Sequence, residues 1–296
     1  MTNSVLIESV PNFSGPPAPM TAAIAAAIAT NGRAAMLDHS FDPDHNRSVI
    51  TIAGPPDAVL EAALAAAAAA RDSIDLRRHH GVHPRIGALD VLPFVPLEGA
   101  SMADCVRLAG RAAERLWREL GIPAYLYESA ARRPECRNLS DVRRLAGSIP
   151  PDVGGPAHHL TAGATAVGAR PFLIAFNVNL AADDVEAART IAAAVRESSG
   201  GLPRVKALGL RLASRGIAQV SMNLTDFTVT PVATAYDRIA AEAADLGVEI
   251  LESELIGLAP RAAIDEAVAL HCRIARWDAT RILENRIPPA ASATHL

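Results

Sequence analysis

Short apolar runs alternate with alanine-rich or amphipathic stretches along the whole chain, and this alternation limits the possible fold more than any other feature. Residues 5–10, 48–53 and 172–180 have the length and composition of strands, whereas residues 56–70 and 102–120 have the spacing of helices. Several predicted strands lie close enough for hairpins. This spacing favours an α+β fold, with helices over one face of a sheet, rather than a doubly wound parallel sheet.

The same rhythm of strands and helices occurs in both halves of the chain. A β–α–β–β order in each half predicts two ferredoxin-like α/β subdomains. We place the boundary near Leu180, which gives an N-terminal subdomain of residues 1–180 and a C-terminal subdomain of residues 181–296. Because ligands commonly bind between subdomains, we expect a ligand cleft between them. Within the second half, residues 225–230 are predicted to form a strand and residues 260–275 a helix.

Composition excludes several classes of protein. The chain has 296 residues, half of them hydrophobic, and a net charge of -4, so it can build sizeable cores but lacks the basic surface that nucleic acid requires. No apolar run is long enough to span a membrane, and the N-terminus lacks the pattern of a secretory signal. Three cysteines without a CxxC motif disfavour disulfides and a zinc–thiolate site. We therefore expect a cytoplasmic protein.

The segment 77–90 concentrates three histidines, three arginines and two glycines before an apolar strand. His83 precedes a proline, which favours an extended backbone at that position, and imidazole suits proton transfer near neutral pH. Arg85 can bind a carboxylate through paired N–H donors. A solvated polar loop is the alternative. Zinc binding by His79 and His83 would need a helix, which the adjacent glycine and proline disfavour, so we predict no metal site.

Three further segments are candidates for ligand binding. Residues 42–48 place two acids, a histidine, an asparagine and an arginine between two strands, although an ordinary turn would look the same. Residues 163–170 are glycines and small residues that a flat ring system can approach, or else a plain connector. Asn177 and Asn179 come near the end of a predicted strand, where asparagine is also a common turn former.

Taken together, these segments resemble the formiminotransferase domain of glutamate formiminotransferase. The most specific motifs are HPRIGALD, which begins at His83, and FLIAFNVNL, which begins at Phe172. The resemblance covers nearly the whole chain in the family's order, through residues 10–14, 44–49, 81–91, 125–128, 163–170, 172–180 and 219–224.

The resemblance implies transfer of a formimino group from N-formimino-L-glutamate to tetrahydrofolate, a co-substrate, in histidine degradation. It implies a folate site between two α/β subdomains and a homodimer, with no nucleic-acid or membrane partner. His83 would be the catalytic acid/base, with Asp42 or Asp44 orienting it. The implied substrate- and folate-binding residues are Asn12, His45, Asn46, Arg47, Arg85, Gly163, Ala164, Thr165, Ala166, Val167, Gly168, Ala169, Arg170, Phe172, Asn177 and Asn179.

Two alternatives stay open at this point. One is a related formyl or formimino transferase with a different donor, and the other is a catalytically silent folate-binding homologue. The sequence departs from the family at residues 15–19, at Ser40, where animal members carry an acid, and at residues 145–150, which look shortened. These departures bear on the identity of the donor more than on the fold.

Overall fold

The computed structural model describes residues 5–43, 46–81, 84–213 and 215–288. Contacts divide the chain into two compact units, here called the first unit, which extends to Arg170, and the second unit, Pro171–Arg286. The predicted boundary after Leu180 lies ten residues further along the chain. The difference arises because the strand that ends at Leu180 pairs with strands of the second unit.

The first unit contains seven strands and four α-helices within the described residues. In chain order they are β1 (Ile7–Ser9), β2 (Asn12–Ser14), α1 (Ala18–Asn31), β3 (Ala35–Asp42), β4 (Arg47–Gly54), α2 (Pro56–Ser73), β5 (Leu89–Pro96), α3 (Met102–Leu120), β6 (Ala124–Glu128), α4 (Leu139–Leu145) and β7 (Thr165–Ala169).

These strands form one mixed sheet. β1 and β2 both lie between β4 and β5 and are antiparallel to each, while β3 pairs with the outer side of β4. If β1 and β2 are counted as one interrupted strand, the elements from β1 to β5 have the βαββαβ order of a ferredoxin-like fold. β7 and β6 then extend the sheet beyond β5, and both run parallel to it.

Helices α1, α2 and α3 cover one face of this sheet. Strand residues Phe13, Ile50 and Phe94 belong to the same buried cluster as the apolar faces of these helices. The alanines of α2 are largely buried, and their small side chains let the neighbouring helix approach closely. α3 begins at Ser101, whose side chain accepts a hydrogen bond from the backbone of Asp104 in a capping box.

The opposite face of the sheet is divided between apolar and polar side chains. At the β6 edge, Tyr125 and Tyr127 form a small cluster with Cys136 and with Val142 of α4. Nearer β1 and β2 the face is polar. Ile7 and Phe13 point towards the helices, so the alternation of side chains along a strand directs Glu8 and neighbouring polar residues to the opposite face.

The second unit is a four-stranded antiparallel sheet with the strand order β11–β8–β10–β9. Its elements, in chain order, are β8 (Ile174–Leu180), α5 (Val185–Val195), β9 (Val205–Leu212), β10 (Ile217–Leu224), α6 (Val232–Asp245), β11 (Ile250–Ile256) and α7 (Glu266–His271). From β8 to β11 this is the βαββαβ order of a ferredoxin-like fold, which confirms the predicted α+β class with two subdomains.

One face of the second sheet packs against helices and the other carries polar side chains. On β8, Phe176 and Val178 join a core with Ile191 of α5 and Ile239 of α6. Their neighbours on β8 therefore project to the opposite face. No helix in the described part of the chain is both long and apolar enough to cross a membrane.

Two predictions for this unit are wrong. Residues 225–230 are not a strand, because Asp226 accepts hydrogen bonds from the backbone and the hydroxyl of Thr228 and so forms a turn. The helix predicted over residues 260–275 is limited to α7, which begins after Asp265, whose side chain caps it.

Candidate active site

Two segments of the first unit, residues 41–47 and 77–87, carry the predicted catalytic residues and several of the predicted binding residues. Three of the predicted residues, Asp44, His45 and His83, lie outside the described residues. Their neighbours are described and bring the two loops together. The side-chain amide of Asn46 donates a hydrogen bond to the carbonyl of His80 over 2.9 Å, so the loop after β3 is fastened to the loop that leads to His83.

His79 adds a second link between these loops. Its Nε2 lies 3.2 Å from the carbonyl oxygen of Asn46 and 2.7 Å from Nη1 of Arg85. Burial lowers the pKa of His79, and the adjacent Arg85 lowers it further. In the neutral imidazole, Nε2 donates to the carbonyl of Asn46, and Nδ1 accepts from Nη1 of Arg85. His79 was not predicted as a site residue.

Asn12 and Arg47 meet on the polar face of the first sheet. Nδ2 of Asn12 donates to the carbonyl of Val10 over 2.7 Å, which turns its Oδ1 towards Arg47, and Nη2 of Arg47 donates to that oxygen. Arg47 is the first residue of β4 and lies opposite Asp42 in the β3–β4 register. Thus the predicted residues Asn12, Asp42 and Arg47 occupy adjoining strands at one end of the sheet.

Arg47 lies in a strongly charged environment. Burial lowers its pKa to about 10, and the positive charges of Arg143 and Arg85 contribute in the same direction. The carboxylates of Asp90 and Asp42 oppose this effect. Three guanidinium groups therefore lie close to two carboxylates.

Asp90 and Arg143 were not predicted as site residues. Nη2 of Arg143 donates to Oδ2 of Asp90 over 2.6 Å, and Oδ1 of Asp90 accepts from the backbone N–H of Ile86 over 2.7 Å. An acid in the otherwise apolar run of β5 was the available signal for Asp90, because a buried carboxylate needs partners. Arg143 lies on a short helix with several arginines, and nothing in the sequence distinguished it.

Glu8 belongs to a second cluster of polar side chains, which also contains Arg170 and Tyr127. Its side chain is fully buried on β1, and its Oε2 has no hydrogen-bond partner among the residues the structure describes. Burial raises the pKa of Glu8 to about 7, although the charge of Arg170 opposes the shift. Arg170 also hydrogen-bonds to the buried Tyr127, whose pKa burial raises to about 12. Of these three, only Arg170 was predicted.

The predicted folate segment, residues 163–170, is mostly the buried strand β7. Two glycines of this segment allow close approach of neighbouring groups within the first unit. A Cβ on Gly163 would lie 2.2 Å from the carbonyl oxygen of Ile86, and a Cβ on Gly168 would lie 2.5 Å from the ring of Tyr127. Thr165 donates its hydroxyl hydrogen to the carbonyl of Leu89 over 2.8 Å. Close strand packing therefore accounts for these small residues, and a role in folate binding stays a prediction.

In the second unit, Asn179 is the centre of a polar network on the face of the sheet that lies opposite the helices. Its Nδ2 donates to Oε1 of Glu254 over 2.8 Å, and its Oδ1 accepts from Nε2 of Gln219 over 2.7 Å. Arg215 donates to both Glu254 and Glu252, over 3.0 Å and 2.7 Å. The three partners of Asn179, which are Gln219, Glu252 and Glu254, were not predicted, because they come from other segments of the chain.

The other two predicted residues of this unit have different surroundings. Asn177 lies two positions before Asn179 on β8, on the same face, and is half-buried between Ser221 of β10 and Glu254 of β11 in the register of the sheet. Phe172 packs against the core of the second unit. The first unit therefore offers guanidinium groups and a buried carboxyl, and the second offers amide and carboxylate groups.

The chain matches the models of one protein family along both units. The model of the formiminotransferase domain, N-terminal subdomain, matches residues 6–170, and that of the formiminotransferase domain matches residues 175–284. The short gap between the two matches falls at the division between the two compact units.

Named relatives are similar over the same length. The chain is 41% identical to the glutamate formimidoyltransferase of Streptococcus pyogenes, over 95% of this chain and 98% of that protein. It is 42% identical to the glutamate formimidoyltransferase of Thermoplasma acidophilum, over 97% and 99%. It is also 42% identical to the formimidoyltransferase-cyclodeaminase of Sus scrofa, over 91% of this chain and 53% of that longer protein. The chain therefore belongs to the formiminotransferase family.

Proposed function

We propose that this protein is a glutamate formimidoyltransferase, which transfers the formimino group of N-formimino-L-glutamate to tetrahydrofolate and releases L-glutamate. The observation that carries the proposal is similarity at 41% and 42% identity to two proteins of that name, over nearly the full length of all three chains. The excess of guanidinium groups around Arg47 supports it, because both substrates carry carboxylates.

The reaction requires two proton movements. N5 of tetrahydrofolate attacks the formimino carbon, and a proton leaves N5 as the C–N bond forms. The tetrahedral adduct then collapses, and the bond to the glutamate nitrogen breaks as that nitrogen receives a proton. One imidazole can take the first proton and deliver the second, so no oxidant or reductant is needed.

His83 is the proposed acid/base. Its described neighbours support this role, since Arg85 contacts His79 and His79 contacts the loop that contains Asn46. Asp42 and Asp44 are proposed to orient the imidazole or balance its charge. General acid–base catalysis of this kind contributes roughly 10²- to 10⁴-fold to a rate.

The remaining predicted residues are proposed to bind the substrates. Arg47, Arg85 and Arg170 would hold carboxylates, while Asn12 orients Arg47. Asn179 would act through Glu252 and Glu254, because those side chains and Gln219 engage its amide. The other proposed substrate- and folate-binding residues are His45, Asn46, Gly163, Ala164, Thr165, Ala166, Val167, Gly168, Ala169, Phe172 and Asn177.

Tetrahydrofolate as co-substrate, a homodimer and a cytoplasmic location complete the proposal. Light scattering on the purified protein tests the homodimer, for which a mass near twice 30.9 kDa is expected.

A donor panel tests the reaction. Purified protein is mixed with tetrahydrofolate and either N-formimino-L-glutamate or N-formyl-L-glutamate, and release of L-glutamate is measured. Turnover with the formimino donor is expected. Turnover with the formyl donor alone would instead indicate a related transferase, and folate binding without turnover would indicate a silent homologue.

A further inference from the structure

We propose that Arg143 of α4, held in place by Asp90, is a further carboxylate-binding residue of this site and acts beside Arg47. The inference rests on the proposed function, in which both substrates bear carboxylates. Asp90 ends the HPRIGALD motif, but neither it nor Arg143 is among the site residues predicted from the sequence.

A β-bulge places the side chain of Asp90. Asn12 pairs with Val91 and Phe13 pairs with Leu89, so β5 has one extra residue, Asp90, opposite this step of β2. Such a β-bulge redirects the side chain of the extra residue. The redirected carboxylate accepts one hydrogen bond from the Ile86 backbone and one from Arg143, so both of its oxygens are engaged.

Arg143 itself is largely buried, and not all of its N–H groups are hydrogen-bonded within the described residues. Its ion pair with Asp90 spans 2.6 Å, and the side chains are only 14% and 4% exposed. One guanidinium nitrogen, Nη2, is used by Asp90, while Nε is buried and has no hydrogen-bond partner within the described parts of the chain. A buried N–H donor without an acceptor is costly, so the hydrogen-bonding capacity of this guanidinium is not fully used by the described parts of the chain.

The positive charges around Arg47 outnumber the negative ones. Arg143 and Arg85 are both close enough to Arg47 to lower its pKa, and only Asp90 and Asp42 oppose them. Three guanidinium groups and two carboxylates leave one positive charge. Holding like charges together in a partly buried place is unfavourable without a compensating anion. A single ligand carboxylate would supply that compensation.

A purely structural role is the competing explanation, in which the ion pair with Asp90 only ties α4 to the sheet. The two roles differ in what they affect. Loss of a structural tie lowers the stability of the first unit, whereas loss of a carboxylate contact raises the KM of one substrate. Arg144 provides a matched control, because it is the next residue of α4, is 66% exposed and pairs only with the exposed Asp141.

The experiment compares Arg143→Gln, Arg143→Lys and Arg144→Gln with the wild type in two-substrate steady-state kinetics. For Arg143→Gln, the KM of one substrate is expected to rise roughly 10- to 100-fold, with kcat within about 3-fold of wild type. Arg143→Lys keeps the charge but loses the planar fork, so it should recover part of the KM. Arg144→Gln should leave both constants unchanged.

Separate arms identify the source of the carboxylate. A rise in KM for N-formimino-L-glutamate assigns the contact to the donor. A rise for tetrahydrofolate that disappears with a tetrahydropterin lacking the glutamate tail assigns it to the folate tail. Unchanged KM values for both substrates, with or without lower stability, would overturn the proposal.

Failure of the proposed function is distinguishable from failure of this inference. If the wild type shows no turnover, calorimetry with N-formimino-L-glutamate and with folic acid measures binding directly. The inference then requires that Arg143→Gln weaken binding of one of these probes roughly 10-fold or more, while Arg144→Gln does not. Equal affinities in wild type and Arg143→Gln, or no binding by the wild type, would refute it.

Discussion

Replacing Glu8 with glutamine should stabilise the first unit in a manner that depends on pH. Burial raises the pKa of Glu8 from 4.5 to about 7, so the folded protein binds this proton more tightly than the unfolded chain does. Below about pH 4.5 the Glu8 carboxyl is protonated in both the folded and the unfolded state, so it does not lower the stability of the fold. As the pH rises through this window, the unfolded state ionises first and the wild type loses stability.

The magnitude follows from the size of the shift. A difference of about 2.5 pKa units at about 1.4 kcal/mol per unit amounts to about 3 kcal/mol. The side chain is fully buried, so solvent screening does not reduce this value. Glutamine has nearly the same shape and no charge. The stability of Glu8→Gln relative to the wild type should therefore increase by about 3 kcal/mol between about pH 4.5 and 7, then level off.

Urea unfolding at a series of pH values measures this difference. The chain has two tryptophans, Trp117 in the first unit and Trp277 in the second, so a Trp277→Phe background leaves Trp117 as the reporter of the first unit. A stability difference that does not vary between about pH 4.5 and 7 would refute the reasoning. A difference that falls with rising pH would mean that Arg170 stabilises an ionised Glu8 more than burial destabilises it.

Four other substitutions test the packing and the hydrogen bonds of the structure. Gly87→Ala should lower the unfolding free energy by about 3 kcal/mol in thermal unfolding, because a Cβ would lie 2.1 Å from the carbonyl oxygen of Ala164. Gly110→Ala, in open space on α3, should raise it by about 0.5–1 kcal/mol. Equal effects of the two substitutions would contradict this explanation. Asn179→Ala should lower the unfolding free energy of the second unit by about 1–3 kcal/mol, measured by tryptophan fluorescence, because Gln219 and Glu254 lose their hydrogen bonds to its amide. Ser101→Ala should lower the melting temperature by removing the α3 cap, a loss of about 1 kcal/mol, and an unchanged temperature would argue against the capping box.

The fold was predictable where the local pattern was long and consistent. α2 and α3 have many residues of one periodicity, so tertiary contacts only reinforced the local preference. β11 was missed because it carries two glutamates, and its place in the sheet depends on pairing with β8. The turn at residues 225–230 has strand-like composition, but the side chain of Asp226 provides local hydrogen bonds that compete with a strand.

Candidate site residues could be proposed from the sequence only where they are contiguous. The loops around Asn46 and Arg85 were proposed because several polar residues occur together in each, and their roles stay predictions. Asp90 and Arg143 are 53 residues apart in the sequence. Glu8 and Arg170 lie near opposite ends of the segment that forms the first unit. A single sequence contains no signal that joins such pairs. Gly163 and Gly168 were proposed to open space for a ligand, and the structure accounts for both by close packing within the first unit.

The central claim is that the imidazole of His83 moves protons between the folate and the leaving glutamate. The most direct test is the single-turnover rate of formimino transfer by His83→Ala at saturating substrates, with and without added imidazole. The account predicts a rate roughly 10²- to 10⁴-fold below wild type, unchanged folate binding and partial recovery with imidazole. A variant that transfers the group at the wild-type rate would contradict it.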